Sequence, residues 1–177
     1  MACGEYGEGK MTEPIDIINK INDYLFTIYK NNKFKALVTA GPTNEYIDPV
    51  RFITNKSSGK QGYEIARSLL RNGYQTTLIS GPTNLKIDDE IKLIKVETAE
   101  QMFKETQKSL PVDVAIFSAA VADFKISEKN DVKIKKQDQL TIKLEKNVDI
   151  LNYVSNHNSM RPKLVIGFAA ETNNLED

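Results

Sequence analysis

Short apolar runs alternate with amphipathic segments along most of this chain. The apolar runs are rich in Val, Ile and Leu and are bounded by turn-forming residues, which predicts strands buried on both faces. The predicted strands are Lys35–Thr39, Gln75–Ser80, Ile91–Glu97, Val112–Ser118 and Lys163–Phe168.

Four segments carry apolar side chains at helical spacing. They are Pro14–Tyr29, a segment from about Ser57 to Gly73, a segment from Thr98 to about Lys108, and Val148–Ser155. Pro14 suits a first helical turn, Gly73 suits a helix stop, and Thr98 with Gln101 forms a capping box. Strands that alternate with helices predict an α/β fold, here a Rossmann-like, mostly parallel sheet with helices on both faces.

The pattern of apolar and polar residues changes after the fourth predicted strand. Val132–Lys135 and Leu140–Leu144 alternate apolar and polar residues, with four polar residues between them. This pattern predicts an antiparallel hairpin inserted into the parallel fold. Lys133 and Lys135 would share one face of that hairpin, where lysines commonly protect an exposed edge.

Composition narrows the class of partner. The 177-residue chain has 24 basic and 24 acidic residues, so it lacks the basic excess that is typical of proteins binding duplex nucleic acid or anionic membranes. The longest apolar stretch, Val114–Ala122, is far shorter than the ~20 residues of a membrane span. The single cysteine, Cys3, favours a reducing compartment, and with the solitary His157 it argues against a zinc site. We expect a cytoplasmic protein without nucleic-acid or membrane partners.

The connection after the first strand, Ala40–Lys56, is much longer than the usual ~2–6 residues. A loop at the carboxyl end of a strand is where open α/β sheets hold ligands. Ser57, Gly59 and Gly62 then lie at a helix start, whose backbone amides and dipole favour phosphate. The spacing is neither G-x-G-x-x-G nor a Walker loop. An anion site and a plain turn with a helix cap both fit these residues.

Other candidate residues also follow strands. Arg51 and Asn55 lie in the same long loop, and an arginine suits a carboxylate or a phosphate. Asp123 comes just after the fourth strand, where it could bind a metal or a hydroxyl group, or merely cap a turn. Phe168 ends the last strand, where it could stack on a base or belong to the core.

Five motifs, in this order, resemble the phosphopantothenate–cysteine ligase domain of bacterial bifunctional coenzyme A biosynthesis proteins. They are TAGPTNEYIDPVRFITNKSSGKQG, ISGPT, AAVADF, KIKK and GFAAETNN, within residues 35–177. The opening ACGEYGEGKMTEP resembles instead the end of the partner domain, the FMN-dependent phosphopantothenoylcysteine decarboxylase. We therefore expect residues 1–32 to be the tail of a decarboxylase domain, with a flap remnant and a linking helix, and residues 33–177 to be the N-terminal part of a ligase domain.

The resemblance implies a reaction. A ligase of this family activates the carboxylate of 4′-phosphopantothenate with CTP and releases pyrophosphate. The amine of cysteine then attacks the acyl-cytidylate, which gives phosphopantothenoylcysteine and CMP. Mg²⁺ would neutralise the triphosphate.

The resemblance also implies site residues. It places the nucleotide against Gly41, Ser57, Gly59, Gly62, Gly167, Phe168, Ala169 and Asn173. It places phosphopantothenate against Arg51, Asn55, Ala119, Ala120 and Asp123. Two catalytic roles are implied, with Asn55 at the reacting carboxyl group and Lys136 on a flap, KIKK, that closes over the site. A homodimer is expected, in which Arg51 reaches the site of the other subunit.

Departures from the family pattern leave alternatives open. The family's ligase domain continues beyond GFAAETNN with a helix that bears a catalytic lysine, and the flavin-binding body of the decarboxylase is also missing. FMN is therefore expected only in the missing decarboxylase domain, and Cys3, the proton donor of that domain, is expected to be idle. The chain could be a ligase, active alone or completed by a separate chain. It could instead be a truncated non-catalytic remnant, or half of a split enzyme, that binds only nucleotide or phosphopantothenate. An NAD-dependent oxidoreductase is disfavoured because no G-x-G-x-x-G follows the first strand.

Overall fold

Strands and helices alternate in the computed structural model, which describes residues 15–20, 34–136 and 138–169. The strands are β1 (Lys35–Ala40), β2 (Asn44–Tyr46), β3 (Phe52–Thr54), β4 (Gln75–Ser80), β5 (Lys92–Lys95), β6 (Val114–Phe117), β7 (Phe124–Ile126), β8 (Leu144–Lys146) and β9 (Leu164–Gly167). The helices are α1 (residues 15–20), α2 (Lys60–Arg71), α3 (Ala99–Ser109) and α4 (Ile150–Ser155).

Five strands form one parallel sheet in the order β5-β4-β1-β6-β9. The middle strand, β1, pairs with β4 on one side and β6 on the other, so that Val38 lies between Leu78 and Ile116. The chain runs outward from β1 through β4 to β5 and then returns to the other side of β1. This reversal creates a crevice at the carboxyl ends of β1 and β6, where ligands of open α/β sheets bind.

The core has two layers, one on each face of the sheet, because successive strand residues point to opposite faces. On one face, Leu37 packs in a cluster with Met102 of α3 and Val154 of α4. On the other face, Val38 packs in a cluster with Tyr63 and Ala66 of α2. The predicted α/β class, with a mostly parallel sheet covered on both faces, is confirmed.

Local signals fix the helix ends where the sequence predicts them. Thr98 Oγ1 accepts a hydrogen bond from Gln101 N, and Gln101 Oε1 accepts one from Thr98 N, which completes the capping box of α3. Gly73, at φ 82°, follows the end of α2 in the left-handed region that glycine adopts without strain. Residues 15–20 are helical, as the predicted helix Pro14–Tyr29 requires, and the rest of that helix lies outside the described residues.

The predicted pairing of the antiparallel hairpin is wrong, although a hairpin is present. β7 pairs with β8, Phe124 opposite Lys146, whereas residues 132–135 belong to no strand. The alternation of apolar and polar residues at 132–135 is typical of a strand, but this part of the chain forms hydrogen bonds with the β2–β3 turn instead. Asn130 N donates to Ile47 O at 3.0 Å, and Ile134 N donates to Asp48 Oδ2 at 3.1 Å. The long connection after β1 also contains a second hairpin, β2 with β3, which the sequence reading missed. Within the described ranges, no helix combines the length and apolar character needed to cross a membrane.

Candidate functional site at the carboxyl ends of β1 and β6

The loops that follow β1 and β6 are fastened to each other. Ala120 N donates to Gly41 O at 2.9 Å, and Ala122 N donates to Thr43 Oγ1 at 3.0 Å. Pro42 and Ala120 form an isolated parallel bridge that extends the β1–β6 pairing beyond the sheet. The two motifs that the sequence singled out separately therefore form one wall of the crevice.

Three predicted nucleotide-site glycines lie together above the end of β1. Gly41 and Gly59 both adopt positive φ, 74° and 75°, which disfavours any side chain there. A β-carbon on Gly59 would stand 3.3 Å from Gly41 N and 2.8 Å from Thr83 Cγ2. A β-carbon on Gly62 would stand 2.5 Å from Ala40 Cβ and 2.9 Å from Ser118 Oγ. The glycines therefore bring the start of α2 into contact with the ends of β1 and β6.

The first turn of α2 has the character of an anion site. Ser57 Oγ accepts from Gly59 N at 3.3 Å and Ser58 Oγ accepts from Lys60 N at 3.4 Å, both long hydrogen bonds. The helix has no acidic residue in its first turn. Its amides and dipole are thus available to an external negative charge.

A network of hydroxyl groups lies next to these glycines, and it was not predicted from the sequence. Tyr63, 2% exposed, accepts a hydrogen bond from Thr83 Oγ1 at 2.9 Å and donates to Ser80 Oγ at 3.2 Å. Ser80 Oγ donates in turn to Gly81 O at 2.8 Å. The signal in the sequence was ISGPT, which supplies Ser80, Gly81 and Thr83 in one turn.

Asn55 connects the long loop to the loop after β6. Its Nδ2 donates to Val121 O at 3.0 Å and to Ala120 O at 3.3 Å. The side chain is exposed, so these bonds orient an accessible amide. The N–H and the carbonyl of Ala120 both form hydrogen bonds within this wall. A ligand would therefore contact Ala120 through its small side chain.

Arg51 is held in place by Asp48, a residue that sequence reasoning missed. The Asp48 side chain is fully buried, and its Oδ2 accepts from Arg51 Nε at 2.9 Å and from Arg51 Nη2. The Arg51 guanidinium and the backbone amides around it hold the pKa of the Asp48 carboxyl well below its usual range, despite the opposing effect of burial. Arg51 Nη2 also donates to Ile134 O at 3.0 Å. From the sequence, Asp-Pro-Val-Arg is typical of a short turn, and nothing in it indicates that Asp48 and Arg51 would contact Ile134.

The remaining predicted residues lie around the same edge of the sheet. Asp123 is exposed, and its backbone is tied to Asn147, whose N donates to Asp123 O at 2.7 Å. Phe168 is 51% exposed and so does not belong to the core. Its backbone N donates to Phe117 O at 3.2 Å. Gly167 and Ala169 flank it, while Asn173 and Cys3 lie outside the described residues.

The lysine segment, residues 133–136, lies beyond this wall. Lys133, Lys135 and Lys136 are exposed and stand on no strand. Among the described residues, this segment forms its hydrogen bonds through Ile134, with Asp48 and Arg51 as described above. In the ranges that the structure describes, no group of three or more His, Cys, Asp or Glu residues is arranged to hold a metal ion.

Comparison with known proteins gives a consistent family. A family model described as "DNA/pantothenate metabolism flavoprotein C-terminal domain" matches residues 31–177. The coenzyme A biosynthesis bifunctional protein CoaBC of Haemophilus influenzae is 41% identical over 178 residues, which cover 99% of this chain and 44% of that protein. The chain thus spans less than half the length of such curated relatives, and the resemblance inferred from the motifs is confirmed.

Solved structures share the fold. The crystal structure of the C-terminal domain of CoaBC superposes with a TM-score of 0.70 at 42% identity, covering 81% of this chain and 67% of that chain. The DNA/pantothenate metabolism flavoprotein from Streptococcus pneumoniae superposes with a TM-score of 0.64 at 29% identity, covering 74% and 67%.

Proposed function

The chain belongs to the family of DNA/pantothenate metabolism flavoprotein C-terminal domains, and from this premise we propose that it acts in coenzyme A biosynthesis as a phosphopantothenate–cysteine ligase. The proposed reaction uses CTP to convert the carboxylate of 4′-phosphopantothenate into an acyl-cytidylate, with release of pyrophosphate. The cysteine amine then displaces CMP and forms the amide bond.

The observation that carries the proposal is the glycine-rich start of α2, which lies against the ends of β1 and β6. Gly41 and Gly59 leave the backbone open at positive φ, and the first turn of α2 presents amides without a competing acid. A triphosphate fits such a surface because its charge is met by N–H groups and the helix dipole. We assign Ser57, Gly62, Gly167, Phe168, Ala169 and Asn173 to the same nucleotide site, with Phe168 to stack on the base.

Phosphopantothenate is assigned to the wall formed by Asn55, Ala119, Ala120 and Asp123. The Asn55 amide is oriented by two carbonyl oxygens, so its Oδ1 can meet the substrate with little loss of side-chain entropy. We assign Asn55 to the reacting carboxyl group and Lys136 to the α-phosphate of CTP, which the carboxylate attacks as pyrophosphate leaves and where a cation stabilises developing charge. Arg51 has Nη1 as its remaining guanidinium nitrogen without a bond to a described residue, and this atom is assigned to a phosphate or carboxylate of the substrate.

Magnesium fits this site as a companion of the nucleotide. Mg²⁺ is usually held by substrate phosphates, water and one or two carboxylates, so a dedicated cluster of acids is not needed. Phosphate oxygens of the nucleotide and water would supply this shell, and the first turn of α2 brings no acidic side chain against them. When bound, the ion would neutralise charge on the triphosphate.

A homodimer is proposed through the β2–β3 hairpin. Val50, Phe52 and Ile53 are 58%, 45% and 39% exposed on this hairpin, and Phe52 and Ile53, as successive residues of β3, present apolar side chains on its two faces. A second copy of the chain would cover Phe52 and its neighbours. Sedimentation velocity should give a dimer, and Phe52→Asp should give a monomer; a wild-type monomer would contradict the assignment, whereas Lys60→Asp on α2 serves as the matched control.

The ligase proposal is tested through its first half-reaction. The chain is incubated with CTP, Mg²⁺ and 4′-phosphopantothenate without cysteine, and the acyl-cytidylate is sought by mass spectrometry. Its formation supports the proposal directly. If none forms, the assay is repeated with the C-terminal segment of a relative supplied in trans. Formation of the acyl-cytidylate in that second assay would identify half of a split enzyme. If none forms but CTP binding is measurable, a non-catalytic binding remnant is favoured.

A further inference from the structure

We propose that Asp48 is a positioning residue that clasps the lysine segment to the β2–β3 turn and so sets where its lysines stand relative to the bound substrates. The inference deepens the proposed ligase function and rests on it for its catalytic consequence. The clasp itself is a structural claim that can be decided without any enzymatic activity.

The Asp48 carboxylate divides its two oxygens between two tasks. Oδ1 accepts from Val50 N and Arg51 N, both at 2.9 Å, which closes the turn between β2 and β3. Oδ2 accepts from Arg51 Nε at 2.9 Å and from Ile134 N at 3.1 Å. Asp48 therefore joins its own turn to a residue 86 positions further along the chain.

The contacts around Ile134 form a closed ring. Ile134 N donates to Asp48, and Ile134 O accepts from Arg51 Nη2 at 3.0 Å, so both backbone groups of this residue are used. A third bond, Asn130 N to Ile47 O at 3.0 Å, joins the same two segments. In the part of the chain that the structure describes, hydrogen bonds from residues 129–142 reach only this turn. Lys129 Nζ also lies 5.5 Å from the centre of the Tyr46 ring, so the segment is joined to the β2–β3 hairpin by these hydrogen bonds and this cation–π contact.

The chemistry requires an aspartate at this position. Its short side chain can bond amides two and three residues ahead while the second oxygen remains directed away from the turn. A buried carboxylate is stable only when it is paired and fully hydrogen-bonded, which Arg51 and Ile134 provide. Asparagine has one acceptor oxygen, so in one orientation its NH₂ group would face the Ile134 N–H and the guanidinium, and in the other the amides of Val50 and Arg51. Asp48→Asn therefore breaks the bridge between the turn and Ile134 while keeping the volume.

The experiment compares Asp48→Asn with Glu45→Gln in the full chain. Glu45 is also a buried carboxylate of this hairpin, 6% exposed, but it bonds Ala99 N at the start of α3 and does not touch the lysine segment. Two readouts are used: hydrogen exchange of the Ile134 amide, and trypsin cleavage after Lys133, Lys135 and Lys136, identified by mass spectrometry.

Asp48→Asn should speed both exchange and cleavage by about ten- to hundredfold, the range expected when a hydrogen bond to a charged group is lost from a local opening equilibrium. Glu45→Gln should stay within about twofold of wild type. Equal behaviour of the two variants, or no change in Asp48→Asn, would overturn the clasp. If Asp48→Asn does not fold, Ile134→Pro removes the N–H donor and leaves the Asp48 side chain intact; cleavage after Lys135 and Lys136 should then rise, and unchanged cleavage would overturn the inference.

The catalytic consequence is read separately. If wild type forms the acyl-cytidylate, Asp48→Asn should slow its formation about tenfold or more while CTP affinity changes little, because the lysines lose their position and the glycine wall does not. If wild type forms no acyl-cytidylate, even with the C-terminal segment supplied in trans, the proposed ligase function fails while exchange and cleavage still decide the clasp.

Discussion

Replacing Gly62 by alanine sets two opposing effects against each other within α2. In an ordinary helix interior the change would stabilise by ~1 kcal/mol, because glycine is the poorer helix former. Here the new β-carbon would stand 2.5 Å from Ala40 Cβ, 2.9 Å from Ser118 Oγ and 3.0 Å from Thr39 O. The closest of these is about 1 Å short of an ordinary contact between carbon atoms.

The neighbours cannot give way easily. Ala40 and Thr39 belong to β1, which is fixed between β4 and β6, and Thr39 O accepts a hydrogen bond from Ser118 N at 3.2 Å. Overpacking of this kind costs about 1–3 kcal/mol, and three close contacts against a fixed strand place Gly62→Ala in the upper half of that range. The packing term wins, and the expected net loss is about 1–2 kcal/mol.

The assay is urea denaturation followed by circular dichroism, with thermal unfolding as a second measure. The transition should move to lower urea with an unchanged slope, and Tm should fall by about 3–6 °C. Ser68→Ala on the exposed side of α2 is the matched control, and it should stabilise by about 0.5 kcal/mol through helix propensity alone. Gly62→Ala as stable as wild type, or more stable, would refute the close approach of α2 to β1.

Three further predictions concern the wall and the clasp. Asn55→Asp should lower acyl-cytidylate formation about 100-fold, because a carboxylate would face two carbonyl oxygens, while the free energy of unfolding falls by only about 1 kcal/mol; unchanged turnover in a single-turnover assay would remove the role. Asp123→Ala should weaken phosphopantothenate binding about tenfold and CTP binding less, by calorimetry; equal losses would mean a turn cap. Because the pKa of Asp48 is lowered in the fold, its contribution is complete above its unfolded value of ~3.9 and is lost as pH falls below it. The difference in unfolding free energy between wild type and Asp48→Asn should therefore shrink under acid, and a difference that grows there would contradict the pairing.

Several parts of the site could be anticipated from local residue types. Gly59 and Gly62 were singled out because a helix start with glycines leaves its backbone amides open to phosphate, and Gly41 was added by the family resemblance; all three lie at one place in the fold. The family resemblance also assigned Asn55 and Ala120 to one site, and the structure brings them into hydrogen-bond contact. The assigned ligand roles of these residues stay predictions.

Other parts depended on contacts that no local pattern carries. Tyr63 reads as one more apolar position of α2, yet its hydroxyl supports the glycine wall through Ser80 and Thr83. Asp48 reads as a turn residue, and its bond to Ile134 spans 86 positions. The alternation at 132–135 was read as a strand because periodicity records which faces are apolar, but not which partner is present.

The sequence by itself determined the strands of the five-stranded sheet, its class and the cap that begins α3. These follow from side-chain periods of two and 3.6 residues and from caps such as Thr98 with Gln101, which act within one turn of chain. Only the tertiary structure decided how the lysine segment is held, why Arg51 faces Ile134, and how α2 approaches β1. These features depend on the buried carboxylate of Asp48 and on the absence of a β-carbon at Gly62. Both matter only when distant segments of the chain are packed together.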